Sequence, residues 1–242
     1  SPGRIRILTI VYLFSGEYIV MFAEYSMTEL TSIFAMQGFA GLLLFSVFVL
    51  MALGLAIIFG QMGVINMAHG EFMILGAYVT YLTSLFFSNY LPSLFSGYFF
   101  VAMILAFIAT FTLGAFIEWA MIRHLYKRPL DTLLATWGLS LILQQTYRTV
   151  FGAREVGVTL PDWLMGSYAI TDLIEVPING IFVMVLTLFI TFCVYLLMQK
   201  SKLGKQTRAV VQNRAMAGAV GINTEKVDRC TFGIGCGIAG VA

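Results

Sequence analysis

Charge is what this sequence has least of. Only 11% of its 242 residues are charged, against about 25% in an ordinary soluble domain. Hydrophobic residues make up 60%, and mean hydropathy is +0.90. A soluble fold cannot hide that much apolar surface, so lipid must be much of the solvent. That excludes soluble enzymes, disordered tails and nucleic-acid-binding domains. The imbalance of charge is small as well. Fourteen Lys+Arg against 12 Asp+Glu leave +2, too little to draw a polyanion. Cysteine is scarce. Cys193, Cys230 and Cys236 have no CxxC spacing and no nearby histidine, so they fit neither a disulfide framework nor a zinc site. No cleavable signal peptide is evident at Ser1–Gly3.

What is present is a series of apolar runs. A helix needs roughly 20 apolar residues to cross the hydrocarbon core. Spans are predicted near 5–23, 39–59, 71–88, 97–120, 131–151 and 178–198. A seventh begins near Thr231 and stops at Ala242, which predicts a fragment lacking C-terminal spans. The first span is interrupted by Gly16 and Glu17 and is open to a second reading, an interfacial helix. The fold class expected is all-α: a polytopic transmembrane helical bundle with a broken polar helix segment.

Loops set the orientation. Residues 123–128 carry three fixed positive charges, and 199–230 carry Lys200, Lys202, Lys205, Arg208, Arg214, Lys226 and Arg229 against Glu225 and Asp228. Between them, 152–177 carries Arg154 against Glu155, Asp162, Asp172 and Glu175. Positive loops stay in the cytoplasm. The two basic loops are therefore inside and 152–177 outside, with two spans between them. Residues 24–32, with Glu24 and Glu29, fall outside, and Arg4 and Arg6 inside. Trp119, Trp163, Tyr90 and Tyr168 lie where interfacial anchors belong.

The strongest anomaly is Gly60-Gln-Met-Gly-Val-Ile-Asn-Met-Ala-His-Gly-Glu71, flanked by apolar runs on both sides. Glycine loosens a helix by about 1 kcal/mol relative to alanine. A carboxylate at mid-membrane costs roughly 3 kcal/mol on insertion scales. Two readings stand. Asn66, His69 and Glu71 belong to a broken helix beside a substrate path, or they sit wet in a cytoplasmic turn. His69 and Glu71 are two residues apart with no third ligand at helical spacing, so a metal site is not expected. Thr136, Ser140 and Gln144 recur every four residues and make one helical stripe. It can line a hydrophilic path or bond to neighbouring helices. Glu118, one turn before Arg123 and His124, reads as a snorkelled interfacial ion pair.

Gly204-Lys205 lacks the remaining residues of a P-loop, so no nucleotide site is expected on this chain. Gly233 and Gly237 form a GxxxG pair, a helix-packing face. In the basic loop, Asn213–Ile222 reads as a short helix with Asn213 capping its start and Gly221 its end. Its alanines and Gly218 allow another protein to approach. Charge alone favours the plainer alternative, an anchor on lipid headgroups. Asn223-Thr224 starts a second helix that runs into the last span.

Gly54-Leu-Ala-Ile-Ile-Phe-Gly-Gln-Met-Gly-Val-Ile-Asn-Met-Ala-His-Gly-Glu-Phe-Met-Ile-Leu-Gly-Ala-Tyr78 resembles the signature of the branched-chain amino acid and amide ABC importer permeases. Ile122–Gln145 and Arg208-Ala-Val-Val-Gln-Asn-Arg214 look closest to the urea-type branch. The resemblance covers about 54–242. It divides the chain into a divergent N-terminal segment with a possible first span, 1–38, and a permease domain, 39–242, that is C-terminally incomplete. It implies a second permease subunit, two ATPase subunits that hold ATP and Mg, and a periplasmic or extracellular substrate-binding protein. It implies a multi-pass chain in the inner (plasma) membrane, surrounded by lipid, with no cofactor of its own. Asn213, Arg214, Ala217, Gly218 and Gly221 would form the ATPase-coupling loop. Asn66, His69 and Glu71 would lie in the broken segment beside the translocation path, with Thr136, Ser140 and Gln144 as further liners. The expected function is ATP-driven import by alternating access, with urea the expected cargo. The alternatives are the same machine carrying branched-chain amino acids or short amides, and a channel or proton-coupled transporter using Glu71 and His69.

Overall fold

The computed structural model describes residues 26–63, 65–126, 128–152, 156–171 and 174–242. The span expected at 5–23, with Arg4, Arg6, Gly16, Glu17 and Glu24, lies outside the described residues, as do Arg154, Glu155 and Asp172. The helices are α1 (Met27–Met62), α2 (His69–Tyr90), α3 (Tyr98–Ala120), α4 (Pro129–Phe151), α5 (Ile178–Lys200), α6 (Lys202–Gln212), α7 (Arg214–Ala219) and α8 (Thr224–Val241). Four segments among the described residues are long and apolar enough to cross a membrane: α1, α2, Leu94–His124 and α5. The chain is an all-α polytopic bundle.

Helix α1 is longer than the expected span at 39–59. Ser26 accepts from the Glu29 amide, and Glu29 Oε2 accepts from the Ser26 amide at 2.6 Å. That capping box satisfies two end donors at once and starts the helix at Met27. Residues 27–32 are thus helix rather than outer loop. The helix ends at Gly63, whose φ of 65° is the left-handed conformation glycine adopts freely.

Helix α8 is the pillar of the bundle. It packs against α1, α2 and α3, and α5 packs on the outer side of α1. Helix α4 reaches the bundle through α2. Small residues on α8 permit this central position. A Cβ on Gly235 would lie 2.7 Å from the Gly54 carbonyl oxygen and 2.6 Å from Ile58 Cγ1. A Cβ on Gly76 of α2 would fall on the Gly240 carbonyl. Gly233 and Gly237 meet Phe111 and Phe107 of α3, so the GxxxG pair is a packing face. Close backbone approach of this kind is how helices associate when lipid supplies no hydrophobic drive. The core is Ile58, Phe72, Ile117, Ile122, Phe232, Cys236 and Ala239. Helix α8 begins at Thr224, where the Asn223-Thr224 cap predicted a helix: Asn223 accepts from the Lys226 amide at 3.0 Å, and the helix runs unbroken through Thr231.

Two elements were not foreseen. Strands β1 (Ser167–Thr171) and β2 (Ile174–Pro177) form an antiparallel hairpin in the 152–177 loop, pairing Tyr168 with Val176 and Ala169 with Glu175. Trp163, beside it, donates its indole N–H to the Ser96 carbonyl at 2.8 Å and stacks on Phe100. Helix α6 precedes α7 in the basic segment. Ser201 caps it through the Gly204 amide, and it buries Gly204, Thr207 and Val210 at helical spacing.

Candidate translocation path and coupling segment

Helix α1 runs to Met62, but α2 does not begin level with that end. His69, its first residue, places Nε2 3.1 Å from the Met51 carbonyl oxygen of α1. Its ring also lies within 3.2 Å of where a Gly54 Cβ would stand, beside Gly235 of α8. Met51 is about three turns, or about 16 Å, from the end of α1, and Gly235 is equally far from the start of α8. Residues 65–68 therefore lie back inside the bundle. They reach a depth of roughly half a 30 Å hydrocarbon core. Asn66, His69 and Glu71 are buried, with 4%, 5% and 6% exposure, so they do not sit wet in a turn.

Local bonds hold the break open. Asn66 Oδ1 accepts from the Ala68 amide at 3.1 Å, and Asn66 O accepts from the His69 amide at 3.3 Å. Irregular backbone this deep must find partners inside the protein. The stripe on α4 supplies them. Thr136 Oγ1 accepts from the Met67 amide at 3.2 Å. Glu71 Oε1 accepts from Ser140 Oγ at 2.9 Å and from Gln144 Nε2 at 2.7 Å. The Tyr147 hydroxyl donates to the Glu71 carbonyl at 3.1 Å. The six residues expected at a path thus form one contiguous seam between the α2 start and α4. Tyr147, not foreseen, extends the stripe by one more turn. Ser140 is about 16 Å along α4, a third measure of the same depth.

The seam is not saturated. Asn66 Nδ2, His69 Nδ1 and Glu71 Oε2 are buried and have no hydrogen-bond partner among the described residues. Such groups cost about 1–3 kcal/mol each when nothing meets them. Glu71 sits in the first turn of α2, where the helix dipole favours an anion. The seam offers one free acceptor, one free amide donor and one imidazole nitrogen that can be either.

The coupling candidates divide. Asn213 caps α7 through the Met216 amide at 3.0 Å. Ala217 is buried against Val210 and Val227, so it faces this chain and not a partner. Arg214 bonds to Asp228 of α8 and lies 5.1 Å from the Tyr126 ring. Gly221 makes the turn after α7 with φ of 87°. Of the five, Gly218 has open space around it, and beside it Met216 and Val220 are exposed. Those two apolar residues complete an outward face the sequence did not single out.

Glu118 departs from expectation. It is 1% exposed, accepts from the Tyr126 hydroxyl at 2.6 Å, and its other oxygen is 3.5 Å from Arg229 Nε. Arg123, its expected neighbour, pairs with Glu225 at 3.6 Å instead. The start of α8 turns Arg229 into the bundle and Glu225 outward, so the carboxylate is buried rather than snorkelled. Burial, and then the Glu118 hydrogen bond, push the Tyr126 hydroxyl above its ordinary value, so it stays a donor.

The family described as branched-chain amino acid transport system, permease component, matches residues 38–242. The chain belongs to this family. It is a transport subunit of the inner (plasma) membrane and crosses that membrane several times. The high-affinity branched-chain amino acid transport system permease protein LivH of Escherichia coli K12 is 29% identical over 233 residues, covering 89% of this chain and 71% of the relative. LivH of Salmonella typhimurium matches to the same extent. The corresponding permease protein BraD of Pseudomonas aeruginosa is 28% identical over 218 residues, 84% of this chain and 67% of the relative. No solved structure matches the chain. The family match begins at residue 38, inside α1, which runs through that point without a break.

Proposed function

We propose that this permease imports branched-chain amino acids through an ATP-driven alternating-access cycle, with ATP and Mg held by two partner ATPase subunits. A second permease completes the path, and an external binding protein delivers the cargo. The relatives' names support that cargo over urea, towards which the sequence alone leaned. The observation that carries the reading is the buried, half-used Glu71 carboxylate at the start of α2. A zwitterion needs an acceptor for its ammonium and donors for its carboxylate. Glu71 Oε2 and Asn66 Nδ2 are unpartnered groups of those two kinds. Asn66, His69, Glu71, Thr136, Ser140 and Gln144 then line the path once it opens. The outward face of α7, around Gly218, docks on an ATPase.

Urea remains the second reading, because 122–145 and 208–214 resemble the urea-type branch and a neutral amide needs hydrogen bonds alone. Uptake of labelled leucine and labelled urea separates the two. Cells carrying the full-length gene and its partners are compared with a strain lacking this permease, at low external solute. Loss of ATP-dependent leucine uptake in the deletion supports the amino acid reading. Loss of urea uptake alone keeps the machine and changes its cargo. Loss of neither overturns the importer reading.

A further inference from the structure

Below the seam, at the basic end of the bundle, lies a second buried polar network that the path does not use. Asp228 of α8 is fully buried. It accepts from Gln61 Nε2 in the last turn of α1 at 3.1 Å and from Arg214, the first residue of α7. The Arg214 guanidinium also stands over the Tyr126 ring, and the Tyr126 hydroxyl donates to Glu118 near the end of α3. Glu118 faces Arg229, back on α8. One side chain of α7 therefore touches, directly or through one intermediary, the inner ends of α1, α3 and α8. Those three are the helices whose glycine-mediated contacts form the bundle core.

We infer that Arg214 and Asp228 are the mechanical link between α7 and the transmembrane bundle. Ala217 is the buried residue of α7, packed on Val210 and Val227, and among the described residues that small apolar contact joins α7 to α6 and the first turn of α8. The ion pair supplies the other attachment, and it is directional. A planar guanidinium held by a carboxylate on one side and a ring face on the other resists both sliding and rotation. A shift of α7 moves Arg214, and Asp228 must follow or lose the cation that offsets its burial. Asp228 is bonded at the same time to Gln61, so α1 and α8 are drawn together. About two turns above that point, at Gly54 and Gly235, α1 and α8 flank His69. Arg214 and Asp228 are positioning residues: neither contacts cargo or nucleotide. The inference rests on α7 being the ATPase-docking element.

The test uses the complete transporter in proteoliposomes, reading co-purification of the ATPases, basal ATP hydrolysis, melting temperature and labelled leucine uptake per ATP, with labelled urea in a parallel arm. Arg214→Gln should keep assembly and basal hydrolysis, with a lowered melting temperature because Asp228 stays buried without its cation. Its uptake per ATP should fall by at least about fivefold, the lower end of a typical coupling between two sites. Arg214→Lys should recover part of the loss by restoring charge. Asp228→Asn, which keeps the side-chain shape and the Gln61 contact, should repeat the defect. Wild-type uptake per ATP in either assembled variant overturns the link. Failure of both to assemble makes the pair a structural element only and overturns it too. Gly218→Trp, on the open outer face, tests the underlying reading separately. Loss of ATPase co-purification there supports docking by α7, whereas retained ATPases would remove docking and the link with it.

Discussion

Two buried polar clusters sit about two helical turns apart in this bundle, and they are built to opposite specifications. At the inner end, charges are matched: Asp228 with Arg214, Glu118 with Arg229, and the Tyr126 hydroxyl on Glu118. The unbonded Glu118 Oε2 and Arg229 Nε there face each other at 3.5 Å. At mid-bundle, the side chain of Glu71 has no cation among its hydrogen-bond partners in the described residues, only Ser140 and Gln144. Its second oxygen, with Asn66 Nδ2 and His69 Nδ1, has no partner among the described residues. Two pairs matched in charge hold elements together, although Gln61 Oε1 beside them is buried without a partner among the described residues. A cluster with spare donors and acceptors at membrane depth is suited to meeting a solute. The same residue types thus serve two purposes, and the distinction lies in what their second atoms do.

The comparison can be broken from several sides. The largest effect is expected where both clusters lose their frame. Gly76→Val would drive a side chain into the Gly240 backbone, which cannot yield as a flexible side chain can. Overpacking commonly costs 1–3 kcal/mol, and more against backbone, so about a tenfold or greater loss of folded, membrane-extracted protein is expected by size-exclusion chromatography. Wild-type yield would mean that α2 and α8 do not cross there.

Next comes the unsaturated cluster. Glu71→Ala removes the acceptor for both Ser140 and Gln144 and is expected to abolish uptake. It is also expected to destabilise the seam by about 1–3 kcal/mol, read as a lower melting temperature. A smaller effect belongs to Tyr147→Phe, which deletes one hydrogen bond to the Glu71 carbonyl. A loss of about 1 kcal/mol is expected in a thermal shift, with uptake reduced less than for Glu71. The smallest belongs to the matched cluster's outer branch. Glu118→Gln keeps an acceptor for the Tyr126 hydroxyl and removes a charge from a pair already partly open to water at Arg229. A change within about 1 kcal/mol is expected. A large loss there would show that the inner network depends on charge at Glu118 as much as at Asp228.

Much of the fold was legible because lipid simplifies the code. Apolar runs near 71–88, 97–120, 131–151 and 178–198 became helices with ends displaced by a few residues. The polar anomaly at 60–71 and the stripe at Thr136, Ser140 and Gln144 were visible as residue types in the wrong solvent. Their meeting was not visible, since no local pattern says which helix a buried carboxylate will find. Tyr147 was within reach, being the next position on the same stripe. Arg214 and Asp228 were counted as loop charge, because a loop reading treats every charge as wet. Asn223-Thr224 was legible as a helix start; the step missed was that this helix, α8, carries Asp228 inward on its second turn. Helix α6 was hidden for a related reason, since its Lys and Arg made an amphipathic helix resemble a headgroup anchor. The 167–177 hairpin had too few residues to show an alternating pattern.

The most direct test of the account is leucine uptake by the Glu71→Gln transporter. Glutamine keeps the oxygen that accepts from Ser140 and Gln144 and turns the unpartnered oxygen into a donor. The account predicts a wild-type melting temperature and normal ATPase co-purification. It also predicts at least about a tenfold fall in uptake, equivalent to about 1.4 kcal/mol. Uptake at the wild-type level in a normally assembled complex would contradict it, making Glu71 a fastener between α2 and α4 and removing the seam from the path.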